Sequence, residues 1–340
     1  MTNQFVDLEK NQIAKLEHES NHKLPIWYHT LYTDGIHPDA RFPRERYTKL
    51  VNQLQAPQHT DKFIIKQPIK ASRDELIMAH DPTYVDNFLT QKLTEKEIKR
   101  IGLTPWTPNI IPRTLLLMGG AIAALDHVMK CGGIAGNMAG GTHHAHYNFG
   151  SGYCIFNDLA VCSRLALSKY QLTRIAIIDF DVHQGDGTAT ILQNVDEVLT
   201  ISMHCQQNFP FRKSESDFDL VLPANAGDDE VLAVVARALD ITREFDPELI
   251  LFQAGVDGLA TDALGKLNMS RLGMSKRNEM VFELVQELSI PAVVFMGGGY
   301  SKPISHTIDA FSDLFLSAYR ANNQIPVSYT HLTLPTKNEV

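Results

Sequence analysis

Short apolar runs alternate with longer amphipathic stretches from about residue 24 onward. The runs have the length and composition of buried strands, and they cover residues 24–28, 134–138, 174–180, 198–203, 249–253 and 291–296. Apolar positions recur at helical spacing over residues 112–129, 159–170, 230–245, 270–288 and 302–318. Strands separated by helices favour βαβ units and a sheet covered on both faces. We therefore predict an α/β fold: a single domain whose mostly parallel sheet is flanked by helices on both faces.

Both ends of the chain lack this alternation. Residues 1–22 are polar and mixed in charge, and we expect them to form an N-terminal tail. From Pro326 onward the sequence has neither helical nor strand periodicity and resembles translated adapter sequence, so we expect residues 323–340 to be a non-native tail. The predicted domain therefore covers residues 23–322.

The charge balance argues against nucleic acid as a binding partner. The 31 basic and 39 acidic residues give a net charge of -8, which disfavours direct binding to nucleic acid. The sequence has no secretory signal and no run of about 18 apolar residues, so we expect a cytoplasmic protein that does not span a membrane. The four cysteines lack C-x-x-C spacing and indicate reduced thiols. The oligomeric state stays open.

Residues suited to metal binding follow two of the apolar runs. Asp179, Asp181 and His183 alternate at the end of one run, and strand geometry would place them on one face. Without a cation, two carboxylates and an imidazole there would be costly to desolvate, unless that strand end faces solvent. Asp181 and His183 suit a divalent metal such as zinc. Asp257, after another run, would complete an Asp-His-Asp set, although an aspartate in that position is more often a turn residue or helix cap.

Two glycine-rich segments also follow apolar runs. Adjacent histidines can address one site only from an irregular loop, and Gly140 and Gly141 give the loop before His143 and His144 that freedom. The alternative is a polar surface loop. Tyr300 follows a triple glycine at residues 297–299, from which its hydroxyl could reach an anionic intermediate or its ring could pack in the core.

These segments, with residues 41–47 and 81–85, resemble the histone deacetylase superfamily in order and spacing. The resemblance runs from Pro25 to about Tyr319, and Gln184 after His183 is most similar to the class IV-like bacterial branch. It implies an arginase/deacetylase-like three-layer fold. It also implies a metal-dependent amidohydrolase that removes acetyl or longer acyl groups from the ε-amine of lysine with metal-activated water. The substrate would be an acylated lysine in a peptide or protein, or an acylated small amine.

The resemblance assigns a role to each candidate residue. One divalent metal, Zn²⁺ or alternatively Fe²⁺, would be bound by Asp181, His183 and Asp257. His144 would act as general base, with its orientation set by Asp186. The remaining catalytic positions are His143 with its partner Asp179, which act electrostatically, and Tyr300, which stabilises the oxyanion.

The resemblance further implies a substrate channel and a second cation. The channel would be lined by Gly152, Tyr153, Phe209 and Leu264. A structural K⁺ would lie near Asp179, Asp181, His183, Ser202 and Met203.

Three alternatives remain. An acetylpolyamine amidohydrolase shares the fold and motifs, but Leu264 stands where polyamine-selective relatives can carry glutamate, which favours a lysine substrate. An arginase-like two-metal hydrolase would need a second set of ligands, which the motifs do not supply. A non-enzymatic acyl-lysine binding module would normally have lost a metal ligand or Tyr300, and the sequence retains both.

Overall fold

A computed structural model of the protein describes residues 23–324, which contain an eight-stranded sheet of order β2-β1-β3-β8-β7-β4-β5-β6. All neighbouring strands pair in parallel, so the prediction of a mostly parallel sheet is confirmed. The strands are β1 Leu24–Trp27, β2 Phe63–Lys66, β3 Ile134–Asn137, β4 Ile175–Asp179, β5 Val198–Cys205, β6 Phe218–Leu222, β7 Leu249–Gln253 and β8 Ala292–Phe295. The predictions made for residues 1–22 and 325–340 lie outside the described residues.

Helices flank the sheet in two layers. They are α1 Leu31–Asp34, α2 Glu45–Leu54, α3 Arg73–Leu76, α4 Pro82–Leu89, α5 Glu95–Ile101, α6 Ile110–Cys131, α7 Asp158–Tyr170, α8 Asp186–Leu192, α9 Asp228–Phe245, α10 Arg271–Leu288 and α11 Ser305–Asn322. Helices α6, α7 and α8 pack in sequence with one another, as do α9, α10 and α11, and strand β3 contacts both α6 and α11. The three-layer α/β architecture is the one predicted, with the five long helices close to their expected bounds.

The central strands β4 and β7 are apolar up to their last residues, Asp179 and Gln253, because helices cover both of their faces. Every residue of β4 and of β7 is buried. Strands β2 and β6, at the two edges of the sheet, are not among the predicted strands. Three of the four residues of β2 are only partly buried, and β6 alternates exposed and buried positions. Neither strand therefore stands out as a continuous apolar run.

The chain leaves the sheet earlier than predicted at the end of β4. This strand ends at Asp179, so Asp181 and His183 lie in a bend beyond it, not on one strand face as expected. Carboxylates shape the bend: Asp181 N donates to Asp179 Oδ1 at 3.1 Å, and His183 N donates to Asp181 Oδ1 at 3.0 Å. In this bend, carboxylate oxygens accept the backbone N–H groups of Asp181 and His183. Each of these residues is therefore held by the aspartate two positions before it.

Helix α6 is long and apolar enough to cross a membrane by length and composition alone. In this fold, 61% of its most apolar window is buried, and it packs on β1, β3 and α7. Its apolar character is that of a core helix. The four cysteines are free thiols, and Cys131, at the end of this helix, is the exposed one.

Candidate metal centre and its cavity

Three ligand atoms converge beyond the ends of β4 and β7. His183 Nδ1 lies 3.0 Å from Asp181 Oδ1 and 3.1 Å from Asp257 Oδ2. All three residues are buried, and their ligand atoms lie within 4.8 Å of one another. Tetrahedral ligands about 2 Å from a zinc ion lie about 3.3 Å apart, so this triangle has the dimensions of a metal site. The predicted Asp-His-Asp set is therefore brought together and could hold a divalent ion.

Backbone donors hold the carboxylates in place. Gly298 N donates to Asp181 Oδ2 at 2.7 Å, and Val182 N donates to Asp257 Oδ1 at 2.9 Å. One oxygen of Asp257 is thus fixed by the protein while its other oxygen faces the imidazole. Gly298 can lie this close because it has no side chain: a Cβ there would be 2.0 Å from Asp257 Oδ2. The triple glycine therefore packs against the candidate ligands themselves.

Burial and neighbouring charges compete in setting the protonation of these three residues. Burial opposes a charge on His183, but hydrogen bonds to the two aspartates outweigh it and raise its pKa to about 10. Burial and the like charge of Asp181 raise the pKa of Asp257 to about 7. A divalent cation would displace the imidazole proton and neutralise the two carboxylates.

The His143–His144 loop is irregular, as expected, and is fixed by residues that the sequence analysis did not identify. Gly140 and Gly141 have φ of 108° and 72°, values that L side chains rarely adopt. Asp158 accepts the N–H of Gly141 at 2.9 Å, and Gln253 Nε2 donates to Gly141 O at 2.9 Å. Since Gln253 is the last residue of β7, it ties the histidine loop to the strand that leads to Asp257.

Each histidine of the pair has its own carboxylate. His143 Nδ1 hydrogen bonds to Asp179 Oδ2 at 2.7 Å, and His144 Nδ1 to Asp186 Oδ1 at 2.6 Å. Burial alone would lower the pKa of His143, but Asp179 and Asp181 outweigh it and raise the pKa to about 9. Burial and the charge of His143 lower the pKa of His144 to about 4, despite Asp186. The two adjacent rings therefore differ: His143 is cationic at neutral pH and His144 is neutral.

Tyr300 lies on the cavity wall beside a buried arginine. Its ring is 6.2 Å from that of Phe42, and the Arg46 guanidinium lies 5.7 Å from its centroid. Arg46 also donates to Gly299 O at 3.3 Å, next to Tyr300 in the chain. Burial raises the pKa of Tyr300 well above the usual phenol value, although Arg46 opposes this. Its hydroxyl therefore keeps its proton and can donate a hydrogen bond at neutral pH.

A cavity of about 840 Å³ connects these groups to solvent. Asp181, His183, both histidines of the pair and Tyr300 line it, as do all four predicted channel residues: Gly152, Tyr153, Phe209 and Leu264. The Phe209 ring packs edge-on against His144 at 4.9 Å, and Leu264 is 44% exposed at the surface. His143, His144, Tyr300 and the four predicted channel residues thus share one cavity, whereas Asp179, Asp186 and Asp257 do not line it.

Two residues that support the candidate metal ligands are not among the residues predicted from the sequence. Asn208 Nδ2 lies 3.2 Å from His183 Nε2, on the side of the ring away from the aspartates, and donates to Leu264 O at 2.8 Å. Arg277 of α10 is fully buried and donates to Gly255 O at 2.6 Å and Phe180 O at 3.2 Å. It therefore joins the two chain segments that lead to Asp181 and Asp257.

Comparison with known proteins identifies the relatives of this fold and site. Residues 40–312 match the histone deacetylase domain family. The chain is 40% identical over 299 residues to an uncharacterised protein of Picosynechococcus sp., covering 86% of this chain and 98% of that protein. It is 30% identical to histone deacetylase 2 of Arabidopsis thaliana, covering 81% of this chain and 72% of that protein.

An archaeal protein and one solved structure are also similar to this chain. A probable deacetylase of Archaeoglobus fulgidus is 29% identical, over 78% of this chain and 77% of that protein. The crystal structure of an acetylpolyamine aminohydrolase from Burkholderia pseudomallei superposes with a TM-score of 0.73 at 18% identity, covering 87% of this chain and 98% of that one. At 18% identity, this structural similarity supports only the assignment of the fold.

Proposed function

The chain belongs to the histone deacetylase superfamily, a family of amide-hydrolysing deacetylases, and from that membership we propose that it removes acetyl or longer acyl groups from the ε-amine of lysine. The observation that carries this proposal is the convergence of Asp181, His183 and Asp257, of which Asp181 and His183 line the same cavity as His144 and Tyr300. Amide hydrolysis needs a nucleophile and a donor for the developing oxyanion. This cavity offers residues suited to both tasks.

Asp181, His183 and Asp257 are the proposed metal ligands, with Zn²⁺ preferred and Fe²⁺ the alternative. A bound divalent ion supplies a Lewis acid that lowers the pKa of water and polarises an acyl carbonyl. The outer contacts of the ligands support this assignment, because Asn208, Gly298 and Val182 hold the ring and the carboxylates from behind.

His144 is the proposed general base. Its Nδ1 proton is directed at Asp186, which leaves Nε2 as the nitrogen that can accept a proton from water. Its lowered pKa means that the ring is neutral and able to accept at pH 7. The proton would then pass from Nε2 to the leaving amine. His143, cationic beside Asp179, would stabilise negative charge without transferring a proton.

Tyr300 is the proposed oxyanion donor. Its partly buried phenol keeps its proton at neutral pH and lines the same cavity as His144. Gly152, Tyr153 and Phe209 would form the walls around the alkyl chain of the substrate, with Leu264 at the outer edge. A Cβ at Gly152 would meet the His144 ring at 2.6 Å, so this position lets the wall approach the base closely.

Other sequence expectations stay predictions. The potassium site would lie at the carboxyl end of β4, where Asp179 is paired in register with Ser202 of β5, which Met203 follows. The cytoplasmic location and the class IV-like affinity also stay predictions. Acetylpolyamine hydrolysis is the second candidate activity, and binding of acyl-lysine without hydrolysis is the third.

A substrate panel tests the proposal. Acetyl-lysine and longer acyl-lysine peptides are compared with acetylputrescine, each with zinc or ferrous iron and with or without a chelator. We expect lysine deacylation that the chelator abolishes and metal restores. Preference for acetylputrescine would replace the lysine assignment, and no hydrolysis with either metal would overturn the enzyme assignment. A His183→Ala variant controls for contaminating deacetylases.

A further inference from the structure

We propose that the mouth of the cavity selects acyl-lysine flanked by acidic residues and disfavours polyamines. This inference rests on the proposed lysine deacylation and names its substrate class. The exposed charged residues that line the cavity are four basic side chains, Arg41, Lys99, Arg100 and Lys266, and one acidic side chain, Asp39. The chain as a whole has more acidic than basic residues, 39 against 31. The mouth therefore carries the opposite sign to the protein.

The four basic groups keep their charges available to a ligand. Arg100 lies over the Phe149 ring at 4.6 Å, and Lys266 Nζ donates to Gln207 O at 2.9 Å. Within residues 23–324, none of these four basic side chains has a carboxylate oxygen within 4.0 Å, because every ion pair there involves other residues. Asp39 instead lies 3.7 Å from His37. The positive field at the mouth is thus not cancelled by internal pairing.

Their position decides which part of a substrate they would meet. Phe211, 88% exposed, and Leu264, 44% exposed, mark the outer edge of the cavity. Arg46 and Arg113 also line the cavity but are buried. The exposed basic groups therefore face residues that flank the acyl-lysine, which remain outside while its alkyl chain enters. Carboxylates there would be attracted, and the distal ammonium of a polyamine would be repelled.

The metal-loaded protein is tested with acetyl-lysine peptides that differ only in their flanking residues: glutamate, glycine or lysine. Acetylputrescine is the fourth substrate. We expect kcat/KM for the glutamate peptide to exceed that for the lysine peptide about fivefold to tenfold at about 20 mM salt, chiefly through KM. The preference should shrink to about twofold or less at about 0.5 M salt, because exposed charges are screened. Equal rates for all three peptides, or a preference for lysine flanks, would overturn the inference.

A matched pair of variants on α5 locates the effect. Lys99 lines the mouth, whereas Lys96, exposed on the same helix, does not. Lys99→Gln should reduce the glutamate-over-lysine preference about twofold and Arg41→Gln/Lys99→Gln about fourfold, whereas Lys96→Gln should leave it unchanged. An equal loss in Lys96→Gln and Lys99→Gln would show that net charge, not the mouth, sets the preference, and would overturn the inference. If no peptide is hydrolysed, the proposed function itself fails, which is a distinguishable result.

Discussion

His144 Nδ1 lies 2.6 Å from Asp186 Oδ1, and the second oxygen of that carboxylate lies 3.2 Å from His146 Nε2. One buried carboxylate thus holds two rings. Burial of His144 and the positive charge of His143 lower the pKa of His144 and keep its ring neutral. Because a neutral imidazole can carry its proton on either nitrogen, the partner at Nδ1 decides that Nε2 stays free to accept.

Asp186→Asn should therefore impair turnover more than substrate binding. An amide cannot enforce the required tautomer, so we expect kcat to fall about 10²-fold or more. Steady-state kinetics with parallel metal analysis check this. Asp196→Asn, at an exposed position, is the matched control. A near-normal kcat in Asp186→Asn would contradict the proposal that Asp186 orients His144 to act as the general base.

Tyr300→Phe should fold and bind metal normally but lose turnover. Removing one oxyanion donor costs roughly 10²–10³-fold in kcat. The phenyl ring keeps its packing against Phe42 and Arg46, so the thermal midpoint should change little. Metal content and melting are measured beside kcat. A variant that retains most of its turnover would remove Tyr300 from the proposed mechanism.

Metal affinity should rise with pH. In the metal-free protein the pKa values of His183 and Asp257 are raised to about 10 and about 7, so both hold protons that a cation must displace. We expect zinc binding to release more than one proton at pH 7, and affinity to increase about 100-fold or more from about pH 6 to 8. Calorimetry in buffers of different ionisation enthalpy measures the proton count. Binding that is independent of pH would contradict the assigned ligands.

His80 should make folding stability depend on pH. Its Nδ1 donates to His146 O at 3.0 Å, while its Nε2 accepts Asn157 N–H at 2.8 Å, so the buried ring is held neutral. Burial lowers its pKa to about 4, below the unfolded value of about 6.5. The unfolded state therefore binds more protons between these values. The contribution of His80 is complete above about pH 6.5 and is lost as pH falls towards 4, about 3 kcal/mol in all.

Urea unfolding of the metal-loaded protein at pH 7.5 and 5 tests this prediction. The free energy of unfolding should fall by about 2 kcal/mol less in His80→Gln than in the wild type between these pH values. Since burial also lowers the pKa of His127 and His204 to about 4, only the difference between the two proteins isolates His80. Identical pH dependence in both would show that His80 is not held neutral.

Arg277 should stabilise the fold and the metal centre together. Arg277→Met leaves the carbonyls of Phe180 and Gly255 without their donor, and we expect a loss of about 3 kcal/mol in the free energy of unfolding. Because both carbonyls belong to segments that lead to candidate ligands, zinc affinity should also fall about tenfold or more. Lost stability with unchanged zinc affinity would limit Arg277 to a structural role.

Arg243→Met is the control for that experiment. Arg243 pairs with Glu287 at 2.7 Å on the protein surface. An exposed ion pair contributes about 1 kcal/mol or less, so this variant should lose little stability and no zinc affinity.

The sequence was sufficient to predict the central strands because burial on both faces requires continuous apolar runs. It was also sufficient to place Asp181, His183 and Asp257 near one another, because parallel strands end at the same edge of the sheet. Edge strands such as β2 and β6 carry weaker patterns, since one side of each strand has no neighbour.

The contacts that position the site could not be predicted in this way. Gln253 resembles an ordinary strand terminus until the fold places Gly141 O 2.9 Å from its amide. Arg277 belongs to an amphipathic helix, and only the packing of α10 shows that its charge points to two strand ends. Such roles depend on distances between segments far apart in the chain, which spacing and composition do not encode.

Asp257 lies 74 residues after His183, yet the strands that precede them, β4 and β7, are neighbours in the sheet. A nascent chain that has not reached β7 therefore has no complete ligand set, whatever it has folded so far. We therefore expect tight metal binding only after β4 and β7 have paired. Once bound, the ion would stabilise only the fold in which β4 and β7 are paired. The metal that the proposed chemistry needs would therefore also increase the stability of fully folded molecules relative to incompletely folded ones.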